Sequence, residues 1–153
     1  MAKQTTMSDT TVGTRVHQMI FVNLPVADPQ RSRDFFTALG YGFNEEMCNE
    51  GALALELGPN HYAMLLQTEF FATFHDARVA GRGRHEVLTC LSADSREDVD
   101  DLVDRALEAG GRDVRTDEFG DFMYGRSYAD LDDHIWEIMW MDVDKARAAG
   151  TFA

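Results

Sequence analysis

The chain is expected to be an α+β protein built from one unit used twice: a strand, a helix, then three strands. Three observations point there. The sequence Ala27-Asp28 to Leu39-Gly40 is echoed by Ala93-Asp94 to Ala109-Gly110-Gly111, each reading as a capped, glycine-closed helix. A β-branched and aromatic run precedes each helix, and short alternating apolar segments follow it. Two like units that each leave one sheet face open tend to pack together, so tandem modules should form a curved mixed sheet around a cup-shaped cleft.

The elements follow in order. Residues 1–14 are polar, with clustered Thr and Ser, and read as a loose leader. Residues 15–153 form the domain: module one over about 16–68, a crossing segment over 69–84, and module two over about 85–141. The first strand runs from Val16 to Leu24, where Pro25 removes a ladder donor and should end it. Asp28 caps the first helix, Pro29 suits its first position, and Phe35, Phe36 and Leu39 supply its apolar stripe. Strands are expected at Tyr41–Glu46, Ala52–Leu57 and His61–Gln67, the last after the Gly58-Pro59-Asn60 turn. The crossing segment carries Phe70, Phe71 and Phe74, then His75 and several arginines. It reads as a helical turn and a loop, with the aromatics packed on the sheet or on a partner chain.

In module two, His85–Ser92 is a strand. Asp94 or Ser95 caps a helix whose apolar positions are Val99, Leu102, Val103, Ala106 and Leu107. Asp113–Thr116, Phe122–Tyr128 and Ile135–Met141 complete the set, and a short terminal helix or tail begins at Asp142. The last of these strands is the focus of the chain. It alternates His134, Trp136 and Ile138 on one face with Ile135, Glu137 and Met139 on the other. A carboxylate placed mid-strand among apolar neighbours is costly to bury unpaired. Glu137 therefore faces solvent, a partner Arg, or a cavity with a ligand or metal.

Bulk properties narrow the function. The 153 residues suit one domain, and the 44% hydrophobic content suits a packed core. A formal charge of −13 argues against nucleic acid and anionic membranes as partners. No apolar run reaches spanning length, and the N-terminus lacks signal-peptide character. A cytoplasmic location is expected. Cys48 and Cys90 have no metal-ligand spacing and read as free thiols in a reducing compartment.

Certain residues carry a family likeness: Asn23-Leu24-Pro25-Val26-Ala27-Asp28 with Arg31-Ser32, Phe35-Phe36 and Leu39-Gly40-Tyr41. In module two they are Asp94, Gly110-Gly111 and Asp130-Leu131-Asp132-Asp133-His134-Ile135-Trp136-Glu137. On these, from about Val16 to Met141, the chain resembles the vicinal oxygen chelate superfamily, which includes glyoxalase I, extradiol dioxygenases and bleomycin-resistance proteins. Within it the chain is most similar to the lactoylglutathione-lyase-like branch. The resemblance implies paired βαβββ modules around a U-shaped cup, a homodimer, and in catalytic members one divalent metal, Ni, Zn, Mn or Fe, acting as a Lewis acid on two neighbouring substrate oxygens.

Carried over position by position, the family's ligand set keeps Glu137 as metal ligand or catalytic base. The other positions fall at Phe21, near Leu88, and within His61–Gln67 around Met64, Leu65 or Leu66, where only His61 or Gln67 could donate. The acidic turn has Leu131 and Asp133 where the family has Pro and Gly, and Asp tolerates the left-handed backbone that Gly would supply. Phe21, Met64, Leu66, Leu88, Cys90, Tyr124 and Met139 are expected to line the cup. Arg126 either anchors an anionic ligand or pairs with the acidic surface.

Three functions follow. The first is a cup with a degenerate metal site, or none, that binds a small, largely apolar or aromatic molecule. The second is a metal-dependent lyase or isomerase of the lactoylglutathione lyase type. The third is an extradiol-type dioxygenase, which needs two His and one carboxylate on Fe(II).

Overall fold

A computed structural model describes residues 13–151. The leader expected over 1–14 lies outside the described residues, apart from Gly13 and Thr14. The described elements are β1 (Ile20–Val26), α1 (Pro29–Ala38), β2 (Ala52–Gly58), β3 (His61–Gln67), α2 (Thr68–Phe71), β4 (Leu88–Ser92), α3 (Arg96–Glu108), β5 (Arg112–Phe119), β6 (Met123–Ala129), β7 (Ile135–Met141) and α4 (Val143–Ala148). They build two mixed sheets: three strands in the order β1-β3-β2, and four in the order β4-β7-β6-β5. Within each sheet the strand before the helix pairs in parallel with the last strand of its module, β1 with β3 and β4 with β7.

The helices form where capping chemistry and apolar spacing coincide. The Asp28 carboxylate accepts from the amides of Gln30 and Arg31, and Pro29 opens α1 without wasting a donor. Ser95, not Asp94, caps α3 by accepting from the Asp98 amide. Both helices then bury their apolar stripes in one shared core. Phe35 and Phe36 of α1 and Leu39 at its C-cap meet Val99, Val103 and Ala106 of α3, with Leu24, Leu55, Leu65, Tyr128, Trp136 and Ile138 from the sheets. The Phe36 and Trp136 rings meet edge to face at 5.4 Å, so an aromatic contact joins the two modules.

Several expected strand limits are corrected, and β1 begins at Ile20 rather than Val16. Pro25 does not end β1, which continues to Val26 in register with Gln67. A proline is tolerated there because β1 is an edge strand and its missing donor costs the sheet no bond. Tyr41–Glu46 is not a strand. The Asn44 side chain accepts from the Glu46 amide and bends Glu45–Met47 into a 3-10 turn, leaving one bridge from Phe43 to Leu55. The first sheet is therefore one strand short of the second. His85–Val87 also stays outside β4, which begins at Leu88.

The acidic turn between β6 and β7 is held by Asp130. One oxygen accepts from the amides of Asp132 and His134, both at 2.9 Å, and the other from the Trp136 indole N–H at 3.0 Å. Asp133 has φ +68, the left-handed conformation that Asp tolerates. In the crossing segment Phe70 and Phe74 stay exposed and meet edge to face at 5.0 Å, while Phe71 turns toward His75.

Candidate functional site

Alternation along the second sheet separates two faces. Tyr128, Trp136 and Ile138 are buried on the helix side. The residues between them point away from α3. Across this open face Cys90 lies opposite Glu137, Glu137 opposite Ser127, and Ser127 opposite Arg115, one row spanning all four strands. Arg115 reaches that row because of a bulge. The register slips between Asp113 and Arg115, so the extra residue, Val114, is skipped and Arg115 takes the position opposite Ser127.

A shallow cavity of 130 Å³ opens over this row, lined by Arg115, Asp117, Phe119, Ser127, Glu137 and Met139 among others. The Glu137 side chain is 22% exposed, with the Arg115 guanidinium 3.7 Å from it. The same guanidinium holds Asp117 at 2.6 Å. Burial first, and the neighbouring Glu137 charge second, push the Cys90 thiol above its ordinary range, so it stays a neutral thiol. The floor is thin: a Cβ on Gly125 would stand 3.3 Å from the Ile138 carbonyl oxygen. The arrangement offers one carboxylate, one cation, a thiol and a hydroxyl beside apolar surface.

The sequence-expected residues divide among three places. Met139 lines the Glu137 cavity, and Leu88 and Cys90 share its face through the β4–β7 register. Phe21, Met64 and Leu66 share the corresponding open face of the first sheet, Phe21 stacking on Tyr62 at 5.2 Å, and none of the three lines the Glu137 cavity. Tyr124 is a correction. It sits on the helix side of β6, where its hydroxyl donates to Asp100 at 2.7 Å. Strand parity accounts for it, since Gly125 and Ser127 take the open-face positions of β6. Arg126 follows the same parity and pairs with Asp100 and Asp104 of α3, the acidic-surface alternative.

A divalent metal does not fit these donors. Catalytic sites of this kind need about three protein ligands. Among the described residues no three His, Cys, Asp or Glu side chains come together. His61 and Gln67, the reserve donors, share the strand parity of Ala63 and Leu65, which are wholly buried in the core. Both therefore leave β3 on the helix side, away from the open face. Arg115, not a second ligand, is the nearest charged partner of Glu137. Sequence reading missed Arg115, Asp117 and Phe119. Their period-two spacing was the available signal, but the strand was expected to stop at Thr116.

Residues 18–54, part of the first module, match the family model described as bleomycin resistance protein-like N-terminal. Among curated proteins none matches the sequence. A hypothetical protein, SA1046 from S. aureus, is 26% identical with a TM-score of 0.71, over 82% of this chain and 95% of its own. A glyoxalase-related enzyme from Fulvimarina pelagi is 20% identical with a TM-score of 0.70, over 82% of this chain and 88% of its own. A lactoylglutathione lyase from Agrobacterium tumefaciens is 15% identical with a TM-score of 0.62, over 84% of this chain and 96% of its own. The last two are likenesses of fold. No helix among the described residues is long and apolar enough to cross a membrane.

Proposed function

We propose that this chain, whose residues 18–54 match the bleomycin resistance protein-like N-terminal model, is a vicinal oxygen chelate superfamily protein that binds a small, largely apolar or aromatic molecule on the sheet face around Glu137. One observation carries this reading: the single retained carboxylate is answered by Arg115 at 3.7 Å and not by further metal donors. A ligand there meets the apolar side chains of Phe119 and Met139 and can hydrogen-bond to Ser127 or Glu137. Phe21 and Leu88 stand at the family's ligand positions and cannot coordinate.

The reading includes a homodimer. The Glu137 cavity is lined by second-module residues alone, while the first sheet's open face carries Phe21 with 40% of its surface exposed. A second copy would supply the opposite wall of the cup. Both cysteines are free thiols, which suits a cytoplasmic protein. The second reading, a metal-dependent isomerase of the lactoylglutathione lyase type, rests on Glu137 alone.

The test combines metal analysis with a fluorescence screen of small aromatic molecules. Protein incubated with Ni, Zn, Mn or Fe(II) and desalted should retain far less than one equivalent. A hit should weaken in Glu137→Gln and in Met139→Glu, whose charge would invade the apolar wall. Near-stoichiometric metal lost on Glu137→Gln would restore the isomerase. Hits indifferent to both substitutions would remove the ligand from this face.

A further inference from the structure

A cavity of 350 Å³ lies away from Glu137, where the crossing segment closes over β1 and the β6–β7 turn. That volume is within the range of small-molecule sites. Phe71, Val79 and Val87 give it apolar walls, and the side chains of His75, Arg78 and Arg84 also line it.

Charge is unevenly satisfied around this cavity. Asp132 accepts from the Ala27 amide at 2.9 Å and from Arg31 at 3.1 Å. Asp133 accepts from the Gly83 amide at 2.8 Å and from Arg112 at 2.7 Å, with His85 at 3.8 Å. His134 Nε2 is bonded to the Pro25 carbonyl at 2.6 Å. The two aspartates are thus already matched. Among the described residues the Arg78 and Arg84 guanidiniums have no carboxylate partner in salt-bridge range, and Glu86 is the one lining acid without a cation. His75 Nδ1 is buried with no hydrogen-bond partner, and its ring is held edge-on by Phe71 at 5.2 Å. Buried polar atoms in native proteins are nearly always paired, so an orphaned one beside a cavity points to a missing acceptor or donor. With Asp132 and Asp133 already matched by cations from outside the lining, Arg78 and Arg84 are the lining cations left free for a ligand.

We infer that this cavity binds a small organic carboxylate. Arg78 and Arg84 take the anion, a turn of the His75 ring brings its buried Nδ1–H round to donate to it, and Phe71, Val79 and Val87 cover its apolar body. Arginine suits the task because its planar fork matches a carboxylate in two parallel bonds.

Calorimetric titration of the full chain at low ionic strength tests this, with benzoate as probe, benzamide as its neutral match and inorganic phosphate as a bare anion. Benzoate should bind saturably at one site. Its affinity should drop about tenfold or more in R78Q/R84Q, as expected for lost charge-assisted bonds. Both arginines are exposed, so that variant should melt like the parent. His75→Phe keeps the ring contact with Phe71 and should weaken binding by a smaller factor. Benzoate held at the sheet face would instead be lost in Glu137→Gln and kept in R78Q/R84Q, which separates the two sites. The inference is overturned if benzoate gives no saturable heat, or if R78Q/R84Q binds it as tightly as the parent. It also falls if binding is lost in Glu137→Gln instead, or if benzamide or phosphate binds equally well.

Discussion

Arg115 stands 3.7 Å from Glu137, two strands away across β6, and only the bulge at Val114 brings it there. The contact is long, and the Arg115 side chain is 62% exposed. Exposed pairs of this kind contribute about 0–1 kcal/mol. Arg115→Ala is therefore expected to cost less than about 1 kcal/mol in urea unfolding while altering ligand affinity at the Glu137 face. A loss beyond about 2 kcal/mol would mean that Glu137 depends on Arg115 as a true buried ion pair.

Asp130 and Trp136 present the opposite case, because both are almost wholly buried. Trp136→Phe keeps an aromatic ring against Phe36 but removes the indole N–H that Asp130 accepts. Leaving that oxygen without its donor should cost about 1–3 kcal/mol. Trp136→Ala adds a cavity at the contact joining the modules, raising the cost to about 3–5 kcal/mol. Equilibrium unfolding followed by circular dichroism reads both, and a Trp136→Phe variant as stable as the parent would contradict the role given to the indole bond.

Gly111 follows α3 where the chain turns back into the sheet. A Cβ there would stand 2.8 Å from the Ala106 carbonyl oxygen and 3.0 Å from that of Ala129, and neither backbone atom can swing away. Gly111→Ala should destabilise by about 1–3 kcal/mol through overpacking. Gly81, with nothing within 4 Å of its hypothetical Cβ, is the control, and Gly81→Ala should leave the melting temperature nearly unchanged. Equal effects at the two sites would refute the steric argument.

Where local chemistry and pattern agree, sequence and structure agree. The limits of β7 were readable from the strand-length run Ile135–Met141, and the start of α1 because Asp28 is a capping residue followed by apolar spacing, while the start of α3 was narrowed to Asp94 or Ser95. The left-handed Asp133 was readable from turn chemistry. Features decided by a single residue of register were not. One skipped residue, Val114, exchanges the faces of the rest of β5 and so puts Arg115 beside Glu137. Asn44 turned an apparent strand into a 3-10 turn through one side-chain bond. The cavity at the crossing segment depends on Gly83 and Arg82 docking on the β6–β7 turn, contacts about fifty positions apart that leave no periodic trace.

That docking should be pH-sensitive, through Asp133. The Gly83 amide first, then the Arg112 guanidinium, holds its carboxyl below the ordinary value. A carboxylate with a lowered folded pKa adds stability above its unfolded value near 3.9, and this is lost as pH falls toward the folded value. Asp130 acts in the other direction. Burial raises its pKa, so ionisation costs stability as pH rises through that raised value. Glu45 and Asp121, themselves exposed, are also lowered by their Arg33 and Lys145 partners, and added salt should screen those two. At high salt, parent protein should therefore keep an acid-side loss of stability that Asp133→Asn lacks. Asparagine tolerates the φ of +68 at this position, so the comparison isolates the charge. Melting temperatures across pH 3 to 6 give the readout. Parallel curves for the two proteins would show that Asp133 is not what ties the crossing segment to the turn.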